Sequence, residues 1–83
     1  GKKEARLSPL QYSLLACLAR NAGRVVSQGQ LLKEVWGPEG GGTPESLRIL
    51  VHQTRHRIER YPVRPRHLKT EPAIGYRLAE PDE

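Results

Sequence analysis

The residues best suited to chemistry lie in one stretch, TPESLRILVHQTRHRIERY, from Thr43 to Tyr61. It carries four arginines and two of the three histidines, but only two glutamates. The planar guanidinium of arginine suits carboxylates and phosphates, and paired histidines can hold a metal ion. The stretch therefore points to an anionic partner, to a metal site or to an ordinary solvated surface.

The apolar residues of this stretch recur at helical spacing. On a wheel of about 100° per residue they share one arc, made of Leu47, Leu50, Val51, Thr54 and Ile58. The opposite face is polar and holds Glu45, Arg48, His52, Arg55, His56 and Glu59. The flanks hold Ile49, Gln53 and Arg60 on one side and Ser46 and Arg57 on the other. Since cations outnumber acids, i,i+4 pairs cannot neutralise this face, and we expect it to meet an anion.

The metal alternative rests on His52 and His56, whose i,i+4 spacing could supply two zinc ligands. No cysteine pair accompanies them, and the nearby glutamates read as caps and surface charges. We therefore expect no metal and no cofactor, and we assign the two histidines to polar contact with the partner or to solvent. Ile49 either meets a partner or packs against a later hairpin. Trp36 either packs in the core or holds an anion through its indole N–H.

Charge is concentrated in the middle of the 83-residue chain. The net charge is +5, and residues 43–67 carry six arginines, two acids and all three histidines. Residues 68–83 instead carry two cations and four acids. This balance favours nucleic acid or an anionic surface as partner, and no apolar run approaches the ~18 residues of a membrane span. The length suits one domain.

One cysteine, Cys17, cannot form an internal disulfide. We expect it to be buried and the domain to work in a reducing cytoplasm. The first residues lack the apolar segment of a signal peptide, and the missing initial Met predicts a piece of a longer protein.

Three helix starts are visible as Ser or Thr caps. Ser8–Gln11 and Ser27–Gln30 have capping-box spacing, and Pro44 follows Thr43. The first two helices have apolar stripes, namely Leu10, Leu14, Leu15 and Leu18, then Leu31, Leu32, Val35 and Trp36. Helix ends are predicted near residues 21–23, at residue 37 and at residues 59–61, before Pro62.

The remaining segments predict extended structure. Lys3–Leu7 is a candidate short strand, and Arg24–Ser27 is a short β-branched link. Residues 67–78 alternate as a hairpin around Pro72 and Gly75, and residues 79–83 predict a loose tail. Three helices and a C-terminal hairpin predict an α+β winged helix-turn-helix with a possible N-terminal strand. The helix-turn-helix pair is the second and third helices.

The segments LSPLQYSLLACLARNAGRVVSQGQLLKEVWG, LRILVHQTRHRIE and RPRHLKTEPAIGYRL give a specific match. Their order resembles the DNA-binding effector domain of OmpR/PhoB-type response regulators from Leu7 to Leu78. The resemblance implies one domain over residues 1–83, with a core at 7–78. It implies sequence-specific binding of double-stranded DNA that controls transcription. Helix 43–61 would enter the major groove, and hairpin 67–78 would be the wing.

The resemblance also assigns individual positions. Those facing bases are Arg48, Ile49, His52, Gln53 and His56. Those at or near phosphates are Trp36, Ser46, Arg55, Arg57, Thr70 and Tyr76. The wing tip, directed toward the minor groove, is Glu71, Pro72, Ala73 and Ile74. The loop that would contact RNA polymerase is Gly37, Pro38, Glu39, Gly40, Gly41 and Gly42.

Further partners follow from the same resemblance. A receiver domain outside this chain would take a phosphoryl group from a sensor histidine kinase. The isolated domain would be a monomer that pairs on DNA. The alternative is a winged helix that docks RNA polymerase or another protein without reading DNA. We do not expect an enzyme, because the sequence has no nucleophile–base set and residues 40–42 lack the lysine and preceding strand of a P-loop.

Four positions depart from the family pattern. Gln53 stands where arginine is frequent, which favours adenine over guanine at one base. Thr54 replaces a core leucine, and we expect its hydroxyl to bond the i−4 carbonyl. Pro72 stands where many members carry arginine, which argues against minor-groove insertion. Ala73 replaces a frequent glycine, so we expect a strained or reshaped turn.

Overall fold

A computed structural model describes residues 6–81 of the chain. The elements, in order, are α1 (Pro9–Arg20), β1 (Val26–Ser27), α2 (Gln28–Trp36), α3 (Pro44–Ile58), β2 (Leu68–Glu71) and β3 (Gly75–Leu78). The strand predicted at Lys3–Leu7 falls mostly outside the described residues, and Arg6 and Leu7 are in neither a helix nor a strand. The predicted order of three helices and a hairpin is confirmed.

Polar caps fix where the helices begin. Ser8 and Gln11 form a complete capping box on α1, with bonds of 2.9 and 3.2 Å. Thr43 and Ser46 do the same on α3, at 2.7 and 3.1 Å. At α2 only half of the predicted box forms, because the Ser27 hydroxyl accepts from the Gln30 N–H without the reciprocal bond. These bonds satisfy N–H groups that have no partner inside the helix.

The third helix is shorter than predicted. It ends at Ile58, just before the predicted range of residues 59–61, and Glu59 turns to extended backbone with φ −97° and ψ 142°. At the end of α2, Gly37 takes a φ of +93°, a region that favours glycine, as predicted for the helix stop. The loop after Gly37 then leads into the Thr43 cap.

The core lies between the three helices and one face of the sheet. Its fully buried side chains include Leu14, Leu18, Leu31, Leu47, Val51 and Leu68. Leu10, which belongs to the predicted apolar stripe of α1, is 38% exposed. Thr54 is fully buried and donates to the Leu50 carbonyl at 2.8 Å, which confirms the predicted back-bond.

The sheet has three antiparallel strands with β3 in the centre, in the order β1-β3-β2. The hairpin β2–β3 was predicted, but its pairing with β1, which opposes Val26 to Tyr76, was not. Gly75 is required at the crossing, since a Cβ there would lie 2.0 Å from the Val26 carbonyl oxygen. The wing is thus tied to the helical core in a winged helix-turn-helix.

Candidate nucleic-acid interface

The outer face of α3 presents a continuous row of accessible side chains. All five positions predicted to face bases are exposed, namely Arg48, Ile49, His52, Gln53 and His56. Ile49 keeps 49% of its surface exposed, which argues against the alternative that it packs under the hairpin. Arg57 is also exposed near the end of the same helix. The row mixes hydrogen-bonding, cationic and apolar groups, as direct reading of base edges requires.

Arg48 has an acidic partner, contrary to the expectation that the cations of this face are not neutralised. Its Nη2 lies 3.0 Å from both carboxylate oxygens of Glu45, one turn earlier. The two side chains are 69% and 66% exposed, and such pairs contribute at most about 1 kcal/mol. The guanidinium can therefore exchange Glu45 for another anion at little cost.

The rings of His52 and His56 lie against each other in a tilted arrangement, with centroids 4.5 Å apart and an angle of 58° between their planes. Nδ1 of His56 lies 3.1 Å from the His52 carbonyl oxygen. Within residues 6–81 no group of three or more His, Cys, Asp or Glu side chains could hold a metal ion. The two rings line an open groove with Gln53 and Arg57, which makes them available to a polar ligand.

Arg55 turns away from this row toward the wing. Its Nε donates to the Leu68 carbonyl at 2.9 Å, and its Nη2 donates to Thr70 Oγ1 at 2.7 Å. Burial lowers the pKa of Arg55, against the smaller opposing effects of Tyr76 and Glu59, but a guanidinium stays charged in proteins. These two bonds set the position of β2 relative to α3.

The other residues assigned to phosphates differ in accessibility. The Ser46 hydroxyl is engaged in the cap, where it also donates to the Thr43 carbonyl at 3.0 Å. Tyr76 is buried, with only 8% of its surface exposed. Trp36 is half-buried against the core, as one of the two alternatives held, and a Cβ on Gly42 would lie 2.5 Å from its ring. The loop at residues 37–42 therefore closes over the indole.

At the wing, Pro72, Ala73 and Ile74 form the exposed turn. Glu71 is the last residue of β2, and its carboxylate pairs with Arg77 Nε at 3.0 Å. Ala73 adopts a φ of +66°, which confirms that the turn is strained where glycine is frequent. The turn closes with a bond from the Ile74 N–H to the Glu71 carbonyl.

Glu59 was predicted as a surface charge on the polar face, and this was wrong. The residue is 7% exposed, and its carboxylate accepts from the backbone N–H groups of Arg66, His67 and Leu68 at 2.8–3.3 Å. Burial alone would raise the pKa of Glu59, but these N–H groups and nearby His67 bring it below its ordinary value. The carboxylate fixes the residues that lead into β2.

The domain combines an exposed face on α3 with a wing that Arg55 joins to the helix, which is the geometry of a known class of domain. Residues 2–78 match the family model described as transcriptional regulatory protein, C terminal. The chain belongs to this family. Its fold, in which the short strand β1 pairs with the wing, is the winged helix-turn-helix of this family.

Individual relatives support the assignment. The chain is 47% identical to the KDP operon transcriptional regulatory protein KdpE of Escherichia coli over 78 residues, which cover 94% of this chain and 35% of that protein. The response regulator DrrB of Thermotoga maritima, an OmpR/PhoB homologue, superimposes with a TM-score of 0.81 at 33% identity, covering 90% of this chain and 34% of that one. The chain thus spans about a third of the length of these two proteins.

A third relative was solved with its DNA. The DNA-binding domain of RstA from Klebsiella pneumoniae, in complex with the RstA box, has a TM-score of 0.80 and 26% identity. The match covers 95% of this chain and 78% of that one.

Within residues 6–81, no helix is long and apolar enough to cross a membrane.

Proposed function

We propose that this domain binds double-stranded DNA sequence-specifically and controls transcription as the effector domain of a two-component response regulator. The observation that carries the proposal is the exposed row on α3. From Arg48 to His56 the row covers nine residues, and the eight steps between them rise about 12 Å at 1.5 Å per residue. The major groove is about 12 Å wide and admits a helix. A row of this length fits within the groove.

Within the groove, each side chain has a matching base chemistry. The Gln53 amide pairs with N6 and N7 of adenine, and Arg48 reads guanine once it leaves Glu45. Ile49 contacts a thymine methyl. His52 and His56 supply polar contacts along the groove. The mixture contains only one arginine, which favours a target that is not dominated by guanine.

Phosphate contacts would flank this row. Arg57 is exposed and has no acidic partner within residues 6–81. Thr70 accepts from Arg55, so its own hydroxyl hydrogen is left to donate to a phosphate oxygen. We assign Trp36, Ser46 and Tyr76 to the edge of the same contact. Arg55 acts chiefly by holding the wing beside α3.

The wing tip and the glycine loop extend the proposal to neighbouring partners. The tip at residues 71–74 would lie against the adjacent minor groove, with Ile74 as its largest exposed apolar group. The loop at residues 37–42 would face RNA polymerase and offers Pro38 and Glu39 as side chains. Within the loop, Gly41 and Gly42 lie against the ring of Trp36.

The whole protein would add regulation. A receiver domain outside this chain would accept phosphate from a sensor histidine kinase and bring two effector domains onto repeated half-sites. We place the protein in the cytoplasm, where buried Cys17 stays an unpaired thiol. Burial raises the pKa of this thiol, with Glu34 adding to the effect and Arg20 opposing it, which keeps the thiol protonated.

The test is a binding titration with a random-sequence duplex at several salt concentrations. DNA binding predicts that log K falls linearly with the logarithm of the salt concentration, because phosphate contacts release counterions. No binding at low salt would instead favour the alternative that the winged helix docks RNA polymerase or another protein.

A further inference from the structure

The segment between α3 and β2 carries positive charge that the α3 row does not use. This connector, residues 59–67, contains Arg60, Arg64 and Arg66, all exposed, and we call these three the connector arginines. They line one pocket together with Glu59, Tyr61 and His67. Within residues 6–81 none of the three forms an ion pair.

The one acid in this pocket is already occupied. The Glu59 carboxylate accepts three backbone N–H groups, and it is 7% exposed. It therefore offsets one of the three positive charges without binding any of the guanidinium groups. A net charge of about +2 therefore remains on this surface, next to the exposed side chain of His67. Such a surplus attracts an anion rather than a neutral partner.

The connector also holds a defined shape. Glu59 binds its far end through the N–H groups of Arg66 and His67, and the Arg64 N–H donates to the Tyr61 carbonyl at 2.8 Å. The Arg60 guanidinium lies 5.6 Å from the centre of the Tyr61 ring. The arginines are thus presented from a braced segment, which lowers the entropy lost when they bind.

The connector follows directly on the C-terminal end of α3. The row from Arg48 to His56 is about as long as the major groove is wide, and α3 ends two residues after His56. When α3 crosses the major groove, the chain beyond Ile58 comes to the sugar–phosphate wall on that side. At the other end of the row, Glu45 offsets Arg48, so the unpaired cations lie at the C-terminal end.

We propose that the connector arginines form a second DNA-backbone contact, beyond the recognition row, that binds phosphates next to the C-terminal end of α3. The inference rests on the proposed function and adds a surface to it. The contact carries affinity without sequence information, because phosphates are the same in every sequence.

The experiment compares three proteins on two duplexes, one enriched from a random pool and one scrambled. The proteins are the parent, the triple variant R60Q/R64Q/R66Q and a matched triple variant, R20Q/R24Q/K33Q. The matched variant removes three exposed charges from α1, α2 and the link between them. Dissociation constants are measured between about 50 and 300 mM salt, since the slope counts phosphate contacts.

The connector variant should lose about 0.9 in the slope of log K against log salt for each contact removed, up to about 2.7. The loss should be equal on both duplexes and larger than in the matched variant. Thermal melting checks folding. Glu59 binds the backbone N–H of Arg66 and not its side chain, so R66Q leaves that bond in place. As a second variant, R60Q/R64Q keeps Arg66 and should lose up to about 1.8 in the slope.

A connector variant whose slope equals that of the parent, or that changes no more than the matched variant, overturns the inference. The proposed function then stands, because the parent still prefers the enriched duplex. An acidic protein as the true partner would give this same result. A parent that binds neither duplex overturns the proposed function itself.

Discussion

Arg55 on α3 and Thr70 on the wing are joined by a hydrogen bond of 2.7 Å between Nη2 and Oγ1. The same guanidinium holds the Leu68 carbonyl at 2.9 Å. One side chain therefore joins the recognition helix to the wing at two points. The resemblance places Arg55 at or near phosphates, and its contacts within the domain add a positioning role.

Replacing Arg55 should weaken the fold as well as DNA binding. Arg55→Ala leaves two acceptors on β2 without their charged donor, and we expect a loss of about 1.5–3 kcal/mol in the free energy of unfolding. Thr70→Val removes only one bond and should cost less. Urea unfolding measures both, with exposed Arg57→Ala as control. Equal stability of the Arg55 and Arg57 variants would contradict the positioning role.

Glu59 should make stability depend on acid. Its pKa in the folded state lies below the ordinary value of about 4.3, so it stabilises the fold at neutral pH and this contribution is lost as pH falls below about 4.3. Glu59→Gln should cost about 1–3 kcal/mol at pH 7. The free energies of unfolding of the parent and the variant, measured by urea unfolding at several pH values, should converge as the pH falls toward about 3.

The matched control for Glu59 is Glu45→Gln, on the exposed ion pair with Arg48. It should change stability by less than about 1 kcal/mol at pH 7. A constant difference between Glu59→Gln and the parent from pH 7 to pH 3 would show that the carboxylate charge is not what stabilises the connector.

Arg48 and Glu45 should have opposite effects on DNA binding. Arg48→Ala should cost about 1–3 kcal/mol in binding and relax the preference at one base pair. Glu45→Gln should strengthen binding, because it frees the guanidinium and removes a negative charge beside the DNA. Binding to a panel of single-base variants of the site measures both. A uniform loss over the whole panel would make Arg48 a phosphate contact.

The strained turn of the wing should be relieved by glycine. Ala73 has a φ of +66°, and Ala73→Gly should stabilise the domain by up to about 1 kcal/mol. Ala19→Gly, on the exposed side of α1, should instead cost about 1 kcal/mol. Thermal unfolding compares them, and a loss of stability in the Ala73 variant would show that its side chain makes a stabilising contact.

Local chemistry made the helix starts and the core face of α3 predictable. The side chains of Ser8 and Thr43 accept hydrogen bonds from residues three positions away, and such spacing is visible in the sequence. The Thr54 back-bond is equally local. The Glu45–Arg48 pair has i,i+3 spacing and could have been found in the same way.

Contacts between distant parts of the chain were not predictable in this way. Glu59 was placed on a helical wheel, but the helix had already ended and its partners lie seven to nine residues later. The pairing of Val26 with Tyr76 joins residues fifty positions apart. Its first strand has only two residues, which is too short to be predicted from the sequence pattern. The three connector arginines look like linker charges until the fold brings them around one pocket.

The central claim is that α3 reads DNA bases, and it is tested most directly by selecting bound sequences from a random duplex pool with the parent and with Gln53→Arg. We expect the parent to enrich one motif and the variant to enrich the same motif with a single adenine changed to guanine, because arginine pairs with O6 and N7 of guanine. Enrichment of no motif, or of an identical motif by both proteins, would contradict the account.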